Sequence, residues 1–218
     1  MNKLESIKKA CSITDQIFSK IIKNFNFKTE KQLANCINKE IRKNKLKKAF
    51  PTIVASGKNS SEIHHKPVNK KLRGFTVMDF GVKVNGYCSD MTRTIFVGKP
   101  TKSQINLYNK LLRVQEDSIK RTKSKIKYSD LDIKARNCLK KHKKYFLHAL
   151  GHGVGKKIHQ NPRISPKSTH ISKPRDIITI EPGIYFRNKF GIRIEDTVLV
   201  KKNKSEPLTK STKKLITI

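Results

Sequence analysis

Apolar positions near the start of the chain recur at three- and four-residue intervals. Ile7, Ala10, Cys11, Ile17, Phe18 and Ile21 fall on one face, with Thr14 filling the gap. This spacing predicts an amphipathic helix on an otherwise basic segment. A second helix is expected from about Glu30 to Lys45, with Thr29 as its N-cap. The period then changes. Thr52 to Ala55 reads as a strand, followed by a polar loop from Ser56 to Pro67. Phe75 to Asp79 and Val82 to Thr94 read as strands joined at Asn85-Gly86, a dipeptide suited to the positive φ angles of a two-residue hairpin turn. Helical spacing returns over Ser103 to about Thr122 and over Asp130 to Lys141, and Ile177 to Glu181 and Gly191 to Val200 look like a second strand pair. Helices, strand pair, helices, strand pair: this order implies an α+β fold made of a duplicated unit.

Composition refines that picture. A chain of 218 residues is long enough for one domain with a full core. Its formal charge is +34, from 50 Lys plus Arg against 16 Asp plus Glu. One reading of this charge is a polyanionic partner such as RNA, the ribosome or an anionic membrane surface. The other is compositional drift, since Lys far outnumbers Arg and Ile and Asn are abundant, as in an AT-rich genome. The lysines are spread through almost every segment rather than gathered into one patch with interleaved aromatics, which favours drift. Weak nonspecific polyanion or ribosome contact remains an expectation. Cys11, Cys36, Cys88 and Cys138 are widely spaced without a CxxC pair, which argues against a thiolate metal site or a disulfide framework. No apolar run is long enough for a signal peptide or a membrane span, so a cytoplasmic protein with reduced thiols and no membrane partner is expected.

Against this scarcity of acids, several carboxylates stand inside apolar, turn-bounded segments. Burying unpaired carboxylates costs several kcal/mol each, so such placement calls for a compensating cation. With the turn at Asn85-Gly86, Val84 should face Tyr87 and Gly81 should face Asp90, which sets Asp90 diagonally across from Asp79 on the same strand face. Like charges that close conflict unless a cation intervenes. A solvated hairpin face is the alternative, but the flanking Val77, Phe80, Met91 and Ile95 argue against it. In the segment from His148 to Gly155, His152 sits between glycines, which would let it approach a ligand closely. Imidazole suits first-row metals, and His148 and His159 could supply proton donors nearby. Glu181 ends an apolar strand before Pro182-Gly183, a turn signal. Arg193 and Glu195 share a strand face, where the planar guanidinium could hold a carboxylate or a substrate, although a simple surface Arg–Glu ladder would have the same spacing. Four carboxylates and one neutral imidazole would be nearly neutralised by two divalent ions. This donor set suits Mn, Co, Fe or Zn.

The phrases MDFG, NGYCSDMTRT, GHGVG, EPGIY and RIEDT resemble those of the pita-bread metallopeptidases, which include aminopeptidase P, proline dipeptidase and methionine aminopeptidase. The similarity runs from Ile7 to Ile218 and is densest over residues 54–67, 77–100, 148–165 and 177–200. It implies a pita-bread fold, with two pseudo-symmetric halves and a curved antiparallel sheet flanked by helices. It also implies two divalent metals, manganese favoured, held by Asp79, Asp90, His152, Glu181 and Glu195, with Asp90 and Glu195 bridging and Glu181 also acting as acid and base. By the same resemblance His64 lies near the scissile bond, His159 stabilises the tetrahedral intermediate, and His148, Tyr185 and Arg193 shape the substrate pocket or its surroundings. EPGIY and RIEDT point to the branch that cleaves Xaa-Pro bonds of peptide substrates. Removal of initiator methionine, and a non-catalytic module that binds RNA or another polyanion, are the alternatives. The substantial N-terminal domain of the proline-specific relatives is expected to be absent, residues 1–218 forming a single catalytic domain as a monomer or homodimer. Ala149-Leu150 and Gln160 depart from the usual pattern, so substrate length and proline selectivity are where this chain should differ.

Overall fold

The computed structural model describes residues 1–218. Helix α1 (Lys3–Lys23) is capped by Asn2, whose side chain accepts from the Glu5 amide while Glu5 reaches back to the Asn2 amide. Helix α2 (Glu30–Lys43) is capped by Thr29. It stops two residues short of the expected end because Lys45 adopts a left-handed φ of 56° and its amide turns back to Arg42. The N-terminal strands are β1 (Lys47–Lys48), β2 (Ile53–Ser56), β3 (Gly74–Phe80), β4 (Val82–Val84), β5 (Tyr87–Cys88) and β6 (Met91–Val97). Helices α3 (Lys102–Arg121) and α4 (Tyr128–Cys138) follow, the latter ending where Lys140 turns to φ 51° and the chain enters a 3₁₀ segment, Lys140–Tyr145. The C-terminal strands are β7 (Gly151–Gly153), β8 (Gln160–Ile164), β9 (Ile177–Ile180), β10 (Gly183–Phe186), β11 (Phe190–Arg193), β12 (Asp196–Val200) and β13 (Ser205–Pro207).

Each half packs two helices on one hairpin. Ala10, Ile17, Phe18 and Ile21 of α1 and Leu33, Ile37 and Ile41 of α2 bury against Met78, Phe80, Met91 and Ile95. Tyr108 and Leu111 of α3 and Leu131 and Ala135 of α4 bury against Ile178, Ile180, Ile192 and Val198. Ile7, Cys11, Cys88, Val154, Ile177 and Leu199 join the halves. The four cysteines are unpaired, and no helix is long and apolar enough to cross a membrane.

Both hairpins break in the middle while keeping register. In the first, Val84 pairs with Tyr87 as the turn predicts, and beyond the break Phe80 pairs with Met91 and Asp79 with Thr92. The strands change sheet at Gly81, where a side chain is impossible because a Cβ would lie 1.9 Å from the Ser89 carbonyl oxygen. In the second hairpin, two strands are expected and four are found. Pro182-Gly183 does not reverse the chain; it passes it from β9, which pairs with β12, to β10, which pairs with β11. Ile180 opposes Asp196 and Gly183 opposes Arg193, so the same register carried through the break sets Glu181 opposite Glu195. A turn signal thus marks a crossing between sheets, and the breaks are where the carboxylates lie.

Candidate metal centre

Asp79 is the penultimate residue of β3, Asp90 sits in the first break just before β6, and Glu181 and Glu195 occupy the second break. His152 is the central residue of β7, which lies between β8 and β9. Its flanking glycines serve the sheet rather than ligand approach. A Cβ on Gly151 would meet the Thr179 carbonyl oxygen at 1.9 Å, and one on Gly153 the Asn161 carbonyl oxygen at 2.4 Å. All five side chains line one cavity of about 320 Å³. Ligating atoms of Asp90, His152 and Glu195 lie within 4.8 Å of one another. His152 Nε2 is 3.6 Å from Asp90 Oδ2 and 3.3 Å from Glu181 Oε1.

The oxygens are held from behind, leaving the front open. Thr92 Oγ1 donates to Glu195 Oε2 at 2.6 Å, and Thr179 Oγ1 donates to Glu181 Oε1 at 3.0 Å while accepting the His152 amide at 3.0 Å. Arg193 Nη2 donates to Asp79 Oδ2 at 2.7 Å, its Nη1 to the Tyr185 hydroxyl at 2.8 Å and its Nε to Thr92 Oγ1 at 3.1 Å. The second Asp79 oxygen, Oδ1, is buried and has no hydrogen-bond partner in the protein. Burial first, and the facing carboxylates second, push Asp90 and Glu195 well above the ordinary carboxylate range. Burial raises Glu181 to about 8 against the partial relief of Arg193. Burial lowers the His152 pKa and favours its neutral, ligating form. An orphaned buried oxygen and three carboxyls destabilised as anions, beside a neutral imidazole, fit a site built for divalent cations.

His64 and His159 are exposed on the rim and line both this cavity and an adjoining one of about 720 Å³. The His159 ring meets the His152 ring edge-on, 4.4 Å between centroids. His148 lines the second cavity, with Nε2 2.9 Å from the Tyr185 hydroxyl and Nδ1 2.8 Å from the Ala149 carbonyl oxygen; burial pushes its pKa down to about 3. Tyr185, expected at the substrate pocket, is 2% exposed and lines neither cavity, its hydroxyl lying between His148 and Arg193.

Residues 5–202 match the metallopeptidase family M24. The chain belongs to that family. It is 39% identical to an Xaa-Pro dipeptidase of Pyrococcus furiosus, over 98% of this chain and 63% of that protein. It superposes on the crystal structure of a prolidase from Thermococcus sibiricus with a TM-score of 0.94 at 38% identity, covering 99% of this chain and 61% of that one. An X-Pro aminopeptidase from Thermotoga maritima gives 0.94 at 34% identity, covering 99% and 63%. The chain therefore spans about three-fifths of the length of these relatives, and its α+β architecture is the pita-bread fold of M24.

Several residues that hold this M24 centre escaped the sequence pattern. Thr92 and Thr179 look like ordinary strand threonines; only period-two alternation with Asp90 and Glu181 hints at them. Arg93 is 1% exposed and donates to the Thr92 and Glu195 carbonyls, to Asp196 Oδ1 at 2.7 Å and to backbone carbonyls of Ser211 and Thr212. Asp132 accepts the Leu150 amide at 2.8 Å and pairs with Arg136, which donates to the Phe146 and His148 carbonyls, so α4 holds the segment leading to His152. Asp132 and Arg136 stand one helical turn apart, but the partners across the chain have no spacing signature.

Proposed function

We propose that this chain is a metal-dependent exopeptidase that removes the N-terminal residue from Xaa-Pro peptides. The convergence of five ligand-type side chains on one cavity, with Asp79 Oδ1 left without a protein partner, carries this reading. Asp79, Asp90, His152, Glu181 and Glu195 would hold two divalent ions, manganese first, with cobalt, iron or zinc as alternatives. When bound, such ions lower the pKa of a coordinated water and polarise the scissile carbonyl. Glu181 is the group to move the proton. Its Oε1 is occupied by Thr179, which leaves the other oxygen to accept a proton and return it to the leaving nitrogen. His159, whose pKa is lowered by partial desolvation at the cavity mouth and by the neighbouring His152 and His64, can donate to a developing oxyanion from the rim. His64 lines the same two cavities and would orient the peptide crossing them. Arg193 and Tyr185 fix Asp79 from behind, and His148 fixes Tyr185. An Xaa-Pro bond has no N–H to recognise, so selection falls to shape. Phe50, Pro51, Ile53, Ile63 and Ile158 give the smaller cavity apolar walls suited to that task. The unpaired thiols agree with work in the cytosol.

The test is a peptide panel on protein stripped by chelation and reloaded with Mn, Co, Fe or Zn in turn. Ala-Pro and longer Ala-Pro peptides should be cleaved by reloaded protein and untouched by stripped protein. Cleavage of Met-Ala-Ser with Xaa-Pro peptides left intact would replace this reading with initiator methionine removal. No hydrolysis under any metal would replace it with a binding module.

A further inference from the structure

The loop between β2 and β3 carries His64, and beyond one 3₁₀ turn, Gly57–Ser61, it has no regular structure of its own. Its shape comes from a residue outside both cavities. Glu30, in the first turn of α2, is 0% exposed, and four polar groups from Ser56 and the loop beyond it meet its carboxylate. Oε1 accepts the Ser56 amide at 2.7 Å and Asn59 Nδ2 at 3.0 Å. Oε2 accepts the Val68 amide at 3.2 Å and faces His65 Nε2 at 2.9 Å. No lysine or arginine pairs with it. The α2 backbone adds to the hold, since the Glu30 amide donates to Lys70 and the Lys31 amide to Val68. On the far side, the Gly191 amide of β11 donates to Ser60 Oγ at 2.8 Å, and Arg193 Nη1 reaches the Ile63 carbonyl at 3.4 Å. His64 projects into the cavities between these two lines of anchorage. A buried carboxylate is costly unless its lone pairs are matched, and here the matching groups lie 26 to 38 residues away along the chain. An apolar plug would fill the same space without dictating where each loop amide points.

We propose that Glu30 is a positioning residue: its carboxylate fixes the 56–68 loop and thereby the placement of the His64 imidazole at the metal centre. The consequence for catalysis rests on the function proposed above; the hold on the loop does not. Glu30→Gln keeps the volume but turns one acceptor into a donor facing amide donors. Hydrogen exchange should accelerate across residues 57–68 and stay unchanged in β3, β6 and β12, with metal content intact. On Ala-Pro peptides kcat/KM should fall by about 10- to 100-fold, the cost of misplacing a group by about an ångström. In a His64→Ala background the same substitution should cost less than about twofold, because the two act as one unit. Unchanged exchange in the loop overturns the proposal whether or not the protein is active. Additive losses in the cycle overturn the link to His64. Wild-type protein that cleaves no Xaa-Pro peptide sinks the function while the exchange result still decides whether Glu30 holds the loop. Should Glu30→Gln fail to fold, Asn59→Ala, which removes one of the four contacts, is read in the same two ways.

Discussion

The two broken hairpins contribute carboxylates in the same way but are braced differently. In the first, Asp90 lies across from a glycine, and Ser89 Oγ, 2.7 Å from Thr14 Oγ1 of α1, accepts the Val82 amide, so a helix pins the break. In the second, Glu181 lies across from Glu195, and Gln115 of α3 touches the break only from outside, donating to the Ile180 carbonyl at 3.5 Å and to Asp196 Oδ2 at 2.9 Å. The first hairpin reaches over to the carboxylate itself. Thr92 holds Glu195, the Glu195 amide donates to the Thr92 carbonyl, and the Arg193 amide donates to Thr94 Oγ1. The debt runs both ways, since Arg193 holds Asp79 and Thr197 Oγ1 donates to the Asp90 carbonyl at 2.8 Å. His152 and Glu181, by contrast, are braced by Thr179 within their own half. Three of the five ligand-type residues therefore depend on the docking of the halves, and two do not.

The most severe way to break this arrangement is to remove a donor. Asp90→Ala, Glu195→Ala and His152→Ala should each abolish metal-dependent turnover while leaving the folded domain intact. Deleting Asp90 or Glu195 removes a group already destabilised as an anion, so the metal-free variants should melt no lower than the metal-free parent. A folded Asp90→Ala protein with undiminished Xaa-Pro hydrolysis would remove the metal centre from the mechanism.

A subtler substitution tests the asymmetry itself. Thr92→Val keeps the shape but strips the hydroxyl that Glu195 and Arg193 share, loosening ligands of both halves. Thr179→Val strips one that serves only Glu181 and the His152 amide. Loss of a group that orients a ligand typically costs 10- to 100-fold in metal affinity or activity. Thr92→Val should fall toward the hundredfold end and Thr179→Val toward tenfold, measured by calorimetric titration of metal-free protein with Mn. The reverse order would show that the halves hold their ligands independently.

Much of this centre was legible in the chain. Asn85-Gly86 set the first register, and with it the diagonal of Asp79 and Asp90, because a two-residue turn leaves no freedom of pairing. Acids inside apolar, turn-bounded segments marked all four carboxylates, although the pattern does not separate them from Asp196, which is buried in a strand to pair with Arg93 and Lys213. What stayed hidden has a common cause. Pro182-Gly183 read as a reversal because local turn chemistry does not distinguish a hairpin from a crossing between sheets. The glycines around His152 read as access to a ligand, whereas the partner strand carbonyls that require them are remote in sequence. Thr92, Arg93 and Glu30 act through partners remote in sequence, and Asp132, though one helical turn from Arg136, also holds the remote Leu150 amide; such remote contacts leave no periodicity.

Glu195 and Asp196, adjacent in the chain, allow the finest comparison, because strand alternation sends them to opposite faces. Glu195 faces carboxylates and is raised well above its usual range by burial first. Asp196 is buried too, but Arg93 and Lys213 bring it down to about 2. Their linkage to stability has opposite sign. Asp196 stabilises the fold above the ordinary carboxylate pKa, and that contribution is lost as the pH falls toward about 2. Glu195 and Glu181 stabilise the metal-free fold below the ordinary value of 4.5, and those contributions are lost as the pH rises through their raised pKa values, about 8 for Glu181. Metal ligation needs the ionised forms, so protons compete with metal across the same window. The rise in melting temperature on adding Mn should therefore grow between about pH 5 and about pH 8, while Glu195→Gln should flatten that dependence. A metal-induced rise of constant size across this window would mean that the carboxylates do not release protons to the ion, and the second hairpin would lose its part in the site.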